Sequence, residues 1–223
     1  MNNTMTIGTQ NNKGQIIGKV VDDNLNSFEV EGENFVEGKL LIDRLSENSD
    51  ILPFTISEKL LKAGDLTLEK GKVVAFSGEF RSYNRLIDGK SRLILSFFVK
   101  DILNIDEIDL KKSNEIALIG FVCKTPVYRT TPFNRQICDV LVAVNRANFN
   151  KSDYIPCIMW GRNAKLMQSQ KVGTKISIIG RMQSREYKKD LGNGTIETRT
   201  AYEVSCQQLE IIDTNNFTEK IEA

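Results

Sequence analysis

The stretch YIPCIMWGRNAKL, Tyr154–Leu166, joins a strand-like run to a helix-like run and contains the chain's single tryptophan. Because successive strand side chains point to opposite sides, one face of this strand carries Ile155, Cys157 and Met159. The other face carries Tyr154, Pro156, Ile158 and Trp160. One apolar face can belong to a core. The sequence therefore predicts a separate role for the second face, which has an aromatic ring at each end.

An internal repeat relates the two halves of the chain. Matching residues recur at a constant spacing and include Asn12 and Asn114, Gly18 and Gly120, Arg44 and Arg146, Gly78 and Gly180, and Ser82 and Ser184. Self-similarity at one spacing is the signature of a duplicated structural unit. The chain is therefore predicted to contain two copies of one fold.

The second copy shows the layout of that fold most clearly. A glycine-centred strand, EIALIGFVC, precedes the strands QICDVLVAVNR and YIPCIMW, the short helix RNAKLMQSQK, and the strand KISIIGRMQSREY. DLGNGT is typical of a hairpin turn, and TAYEVSCQQLEII supplies the last strand. Five strands with one helix between the third and fourth indicate an OB fold, a small Greek-key barrel. The predicted class is all-β, with two tandem OB folds.

The repeat also sets the expected boundaries. Residues 1–13 are predicted to be a disordered N-terminus, residues 14–104 the first OB fold, and residues 105–113 a charged linker. Residues 114–212 form the second OB fold, and residues 213–223 a flexible tail.

Composition argues against several classes of protein. The 223 residues carry a formal net charge of +1, and no apolar run approaches the roughly 20 residues of a membrane span. The N-terminus does not resemble a secretory signal, so we expect a cytoplasmic location and no membrane partner. The four cysteines form no CxxC pair and histidine is absent, which predicts free thiols, no metal and no cofactor. No catalytic motif is present, so we expect no enzyme activity.

The second copy resembles the bacterial single-stranded DNA-binding protein family over about 100 residues. The segments that match in order are NEIALIGFVCKTPVYRTT, LVAVNR, SDYIPCIMWGRNAKLM and KVGTKISIIGRMQSREY. In that family, aromatic side chains on the barrel stack against bases, and the matching positions are Phe149, Tyr154, Trp160 and Tyr187. Nearby cations suited to phosphates are Arg146, Arg162, Arg181, Arg185 and Lys188, of which Arg146 and Arg185 are preferred.

The resemblance also implies partners. The expected ligand is single-stranded DNA, coated during replication, recombination or repair. The expected assembly is a homodimer that presents four OB folds. Replication or repair proteins are further candidate partners, although TNNFTEKIEA lacks the acidic tail by which the family recruits them.

The two copies differ in charge and in aromatic content. Residues 114–212 carry 14 Lys plus Arg against 8 Asp plus Glu, whereas residues 14–103 carry 12 against 15. At constant spacing, the first-copy positions that match the four aromatics are Glu47, Leu52, Glu58 and Arg85, and aligning Pro53 with Pro156 substitutes Ile51 and Ser57 for the middle two. We therefore expect the first copy to bind nucleic acid weakly and to serve structure or oligomerisation. Tyr83, between Arg81 and Arg85, is the feature that argues otherwise.

Two other interpretations stay open. The tandem OB folds could form a scaffold for another protein, with the aromatics buried in that contact. The chain could also be an accessory replication protein of the primosomal type.

Overall fold

The computed structural model describes residues 11–23, 25–44, 46–87, 89–107, 113–146, 150–192 and 194–212. The first unit contains β1 (Asn12–Val20), β2 (Asn26–Val30), β3 (Glu33–Asp43), β4 (Ser49–Ser57), α1 (Glu58–Ala63), β5 (Val73–Ile87) and β6 (Lys90–Ile102). The second unit contains β7 (Asn114–Val122), β8 (Val127–Thr130), β9 (Gln136–Asn145), β10 (Ser152–Trp160), α2 (Gly161–Gln168), β11 (Lys175–Asp190) and β12 (Ile196–Ile211).

Each unit is a closed barrel of five principal strands. In the first unit the order is β1, β3, β4, β6 and β5, and β5 returns to β1. A parallel contact between β4 and β6 places Phe54 opposite Phe97, and the second unit repeats it with Cys157 opposite Val204. The prediction of two tandem OB folds is confirmed. The short strands β2 and β8 were not predicted, because both are mostly exposed and have only five and four residues.

Alternate strand residues fill each barrel. Phe54, Phe76, Phe80 and Phe97 are fully buried in the first barrel. These four form the core of the first unit. Phe98 has the opposite orientation, since it follows Phe97 along β6, and it is only partly buried. In the second barrel Ile155, Cys157 and Met159 are buried, as the alternation predicted.

A glycine near the end of each first strand permits the barrel to close. A methyl group on Gly18 would lie 2.6 Å from the carbonyl oxygen of Leu41, and one on Gly120 would lie 2.5 Å from that of Ala143. These oxygens belong to β3 and β9, the strands that β1 and β7 meet at closure. The close backbone approach at these positions requires the absence of a side chain.

The two barrels are joined about an approximate two-fold axis. Strand β1 pairs antiparallel with β7, and Gly14 lies opposite Ile116, its own counterpart in the repeat. The start of β1 is held further by Asn12, whose side-chain amide exchanges two hydrogen bonds with the backbone of Phe80. Asn114 makes the same pair with Met182. Asn12 and Lys13 therefore belong to the strand, two residues before the predicted start of the fold.

The structure also fixes the alignment of the copies in their middle strands. Pro53 lies opposite Lys39 and Pro156 lies opposite Leu141, so the two prolines are equivalent. Ile51 is then the counterpart of Tyr154, and Ser57 is the counterpart of Trp160. Within the described residues, no helix is long and apolar enough to cross a membrane.

Candidate nucleic-acid interface

The outward surface of β9, β10, β12 and β11 forms the second-unit face. Cross-strand partners lie on the same side of a sheet, and the pairing therefore assigns its members. They are Ile137, Asp139, Ile158, Trp160, Arg181, Gln183, Arg185, Tyr187, Arg199, Ala201, Glu203 and Ser205. The exposed members of this face are Arg185 and Tyr187, and Trp160 and Arg199 are partly buried, so these side chains are available for contacts beyond the barrel. The buried members are Ile137, Ile158, Gln183, Glu203 and Ser205.

Two of the four predicted aromatics belong to this face. Trp160 is partly buried, and its indole Nε1 donates a hydrogen bond to Ser205 Oγ at 3.1 Å. That bond orients the indole from β10 across β12, so the ring lies on the outward face and not in the barrel core. Tyr187 is 37% exposed on β11, and the guanidinium of Arg185 lies 5.9 Å from the centre of its ring.

Tyr154 lies on the same side of β10, but six residues from Trp160. At about 3.3 Å per residue the separation is roughly 20 Å. Tyr154 is 46% exposed, and its backbone N–H donates to Ser82 Oγ of the first unit at 2.7 Å. It therefore marks the border between the two units. Phe149, the fourth predicted aromatic, lies outside the described residues.

Three of the predicted cations are exposed. Arg185 has half of its side chain exposed and lies 3.7 Å from Glu203. Arg162 lies in the first turn of α2, directly after Trp160. Arg162 and Arg185 are therefore placed for contact with a polyanion beside the aromatic rings. Lys188 is exposed as well, but it follows Tyr187 on β11 and pairs with Thr198, so it points to the opposite side of the hairpin.

The other two predicted cations point into the contact between the units. Arg146 makes two hydrogen bonds to the buried carboxylate of Asp153, at 3.0 and 2.7 Å, and donates to the backbone oxygen of Ser82. The hydrogen bonds to Asp153 raise the pKa of Arg146. The geometry thus gives Arg146 a structural role, although the sequence preferred it for phosphate binding.

Arg181 has a similar structural role across the same contact. It donates to Asp50 of the first unit at 2.9 Å and to Gln183 at 2.9 Å. Burial and the neighbouring charge of Arg44 lower its pKa. Sequence spacing could not reveal the bond to Asp50, because Asp50 belongs to the other unit.

Sequence reasoning missed two exposed side chains on the β8–β9 hairpin. Arg129 shares the second-unit face and donates to Asp139 at 2.7 Å. Phe133 is 86% exposed at the hairpin tip. The segment TTPFNR has the turn chemistry of such a tip, which was the available signal.

The thiols do not form a metal site. Burial raises the pKa of Cys138 and of Cys206 to about 11, and raises the pKa of Cys157 as well. All four cysteines are free. Among the described residues no group of three or more Cys, Asp or Glu is arranged to hold a metal ion.

Comparison with known proteins gives matches in sequence and matches in fold. Residues 113–212 match the model of the Single-strand binding protein family. Single-stranded DNA-binding protein 3 of Streptococcus agalactiae is 31% identical over 46% of this chain and 76% of its own length. This chain belongs to the single-strand binding protein family.

Other members of the single-strand binding protein family extend the comparison. The single-stranded DNA-binding protein of Enterococcus faecalis is 27% identical over 48% of this chain and 58% of its own length. The chain thus spans about three fifths of several relatives that it matches. The wild-type single-stranded DNA binding protein of Thermus aquaticus shares the fold over 91% of this chain and 93% of its own, with a TM-score of 0.68 and 17% identity. The fold similarity therefore includes both units.

Proposed function

We propose that this protein is a non-catalytic binder that coats single-stranded DNA during replication, recombination or repair. The observation that carries the proposal is the second-unit face, where Trp160 and Tyr187 lie beside Arg129 and Arg185 outside a filled barrel core. Stacking on aromatic rings is worth about 1–3 kcal/mol per base and tolerates any base. Cations beside the rings neutralise phosphates. Membership of the family supports the same ligand.

The binding set differs in part from the sequence-based one. The stacking residues are Trp160, Tyr187, Tyr154 and Phe149, and the phosphate contacts come from Arg129, Arg162 and Arg185. Lys188 is omitted because it points to the opposite side of the β11–β12 hairpin. Arg146 and Arg181 are omitted because Asp153 and Asp50 engage their guanidinium groups.

The unique tryptophan provides a direct test. Titration with oligo-dT at low and high salt should quench Trp160 fluorescence to saturation, with weaker binding at high salt. A Trp160→Ala variant should bind labelled oligo-dT more weakly in fluorescence anisotropy. Ile196→Ala is the matched control, since Ile196 is 64% exposed on the opposite side of the same hairpin. Wild-type affinity in the Trp160 variant would refute the assignment of this face.

The assembly is also part of the proposal. The pairing of β1 with β7 makes one chain equivalent to two single-fold subunits, and a homodimer would present four OB folds in the cytoplasm. Sedimentation equilibrium should then give twice the chain mass of 25.2 kDa. A monomeric mass at micromolar concentration would contradict the homodimer without affecting the proposed ligand.

A further inference from the structure

A cluster of aromatic rings covers part of the first unit. Phe28 and Phe35 stack with ring centres 5.8 Å apart, and Phe35 lies 5.7 Å from Phe98. None of the three is fully buried. They lie on β2, β3 and β6, on the side of the barrel away from the core phenylalanines.

The strand pairing assigns a first-unit face that corresponds position by position to the second-unit face. Its members are Phe35, Glu37, Thr55, Ser57, Glu79, Arg81, Tyr83, Arg85, Arg92, Ile94, Ser96 and Phe98. Each has a counterpart defined by the same ladder position in β9 to β12. The two faces can therefore be compared without relying on a constant sequence spacing.

The two faces carry one of their aromatic rings on different strands. Trp160 of the second unit corresponds to Ser57, and Ser205, the partner of Trp160, corresponds to Phe98. The second unit thus has an aromatic on its third principal strand and a serine on its fifth. The first unit has the reverse, and a large ring is present at the same location in both.

The second aromatic ring occupies different positions along the same strand in the two faces. Arg185 and Tyr187 correspond to Tyr83 and Arg85, so the cation and the ring exchange places within β5. The guanidinium of Arg85 lies 5.4 Å from the centre of the Tyr83 ring, close to the 5.9 Å in the second unit. In a position-by-position sequence alignment, each of these exchanges looks like the loss of an aromatic residue. That apparent loss led to the prediction that the first unit binds nucleic acid weakly.

The two faces also carry equal charge. The first-unit face has three arginines and two glutamates, and the second-unit face has three arginines, one aspartate and one glutamate. Lys100 beside Phe98 adds one positive charge to the first-unit face, and Arg129 adds one to the second-unit face. Each face therefore has a net charge of +2. The acidic excess of the first copy lies elsewhere on its surface and does not repel phosphate at this face.

Cations on the first-unit face are held against the rings. The guanidinium of Arg81 lies 4.5 Å from the centre of the Phe98 ring, and the ammonium of Lys100 lies 5.1 Å from it. Glu79 anchors Arg81, and Glu37 accepts hydrogen bonds from Tyr83 and Arg85. A guanidinium plane is itself a stacking surface for a base, so ring and cation form one layered platform.

The two faces approach each other where β10 lies beside β5. Tyr154, on the same side of β10 as Trp160, donates its backbone N–H to Ser82 Oγ at 2.7 Å. Ser82 lies between Arg81 and Tyr83 of the first-unit face. One extended strand of nucleic acid leaving the second-unit face past Tyr154 therefore reaches the first-unit face at β5.

We infer that the first-unit face is a second stacking surface for the same single-stranded DNA. Its platforms are Phe98 with the layered Arg81 guanidinium, Tyr83 and Phe35, and its phosphate contacts are Arg85 and Lys100. This inference rests on the proposed function, because it extends the same ligand from one barrel to the other. The first unit, which the sequence alignment of the two copies predicted to be structural, would then contact DNA as well.

The test compares short and long oligo-dT on the full chain. One OB fold covers about 4–16 nucleotides, so a probe of about 12 nucleotides occupies one face and a probe of about 40 spans both. The first-face variant is Phe98→Leu with Tyr83→Leu, which keeps apolar volume and removes the rings. Phe98→Tyr restores a ring. Leu86→Ala is the matched control, since Leu86 is 75% exposed on the opposite side of the same hairpin.

The first-face variant should bind the long probe about 5-fold to 150-fold more weakly for each stacked base lost, the equivalent of 1–3 kcal/mol. Its affinity for the short probe should be unchanged. Phe98→Tyr and Leu86→Ala should bind both probes like wild type. Cross-linking of long oligo-iododeoxyuridine should label Phe98 or Tyr83 as well as the second-unit face.

Wild-type affinity of the first-face variant for the long probe would overturn the inference and leave the proposed function intact. A change in its oligomeric mass with unchanged DNA binding would also overturn it, and would assign the face to a second copy of the chain. If the wild-type chain bound neither probe, the proposed function and the inference would both fail.

Discussion

Replacing Asp50 by alanine should destabilise both barrels together. The Asp50 carboxylate is fully buried at the contact between the units. It accepts two hydrogen bonds from Arg44, at 2.7 and 2.6 Å, and one from Arg181, at 2.9 Å. It also accepts the backbone N–H of Ser184 in the second unit at 2.8 Å. The substitution leaves two guanidinium groups and one amide without their acceptor.

The size of the effect follows from what loses its partner. Removing one member of a buried ion pair typically costs about 3–5 kcal/mol, because the remaining charge is left uncompensated. Arg44 and Arg181 each keep 26% of the side chain exposed, so water partly replaces the carboxylate and the lower end of that range applies. We expect the free energy of unfolding to fall by about 3 kcal/mol.

Urea denaturation followed by circular dichroism measures this change. Asp43→Ala is the matched control, since the Asp43 carboxylate is 67% exposed and lies 4.0 Å from Lys19, a geometry worth less than about 1 kcal/mol. Asp153→Ala tests the equivalent carboxylate across the approximate two-fold axis and should also be strongly destabilising. A loss below about 1 kcal/mol in Asp50→Ala, within the range of a surface pair, would refute the reasoning by showing that water solvates these arginines.

Three further predictions concern pH, packing and salt. The folded-state pKa values of Cys138 and Cys206 are raised from 9.0 to about 11. Between pH 9 and pH 11 the unfolded state loses these protons while the folded state retains them, so the free energy of unfolding should fall as the pH rises. A free energy of unfolding that stays constant over that window in denaturation experiments would contradict the burial of these thiols. Gly120→Ala should cost about 3 kcal/mol by overpacking, since its methyl group would lie 2.5 Å from a β9 carbonyl oxygen, and an unchanged melting temperature would contradict the close approach. Arg185→Ala should reduce the slope of log affinity against log salt by about 1, whereas Arg146→Ala should lower stability and leave that slope unchanged in anisotropy titrations; the reverse pattern would exchange their roles.

Much of the fold could be predicted because the repeat and the alternation are local signals. The buried face of β10 follows from alternation alone, and the closing glycines follow from their place in each first strand. The short strands β2 and β8 could not be predicted, since an exposed edge strand gains its pairing from a neighbour and is too short to show a clear apolar period.

The candidate site was predicted only in part. Trp160 and Tyr187, both named through the resemblance, lie on different strands, and the pairing of β10 and β11 with β12 brings them to one face. The role of Arg146 could not be predicted, since Ser82, one of its partners, lies 64 residues away in the other barrel. Its other partner, Asp153, is close in sequence, yet the burial that makes that ion pair structural arises from the contact between the units.

The sequence by itself determined that the chain holds two OB folds and that one strand has a spare aromatic face, because both follow from periodicities along a single strand. Only the tertiary structure decided which residues of the two barrels are equivalent, because equivalence is set by hydrogen-bond register between strands. That register shows Phe98 where a serine accompanies Trp160, and it assigns the first barrel an aromatic surface that a linear alignment does not contain.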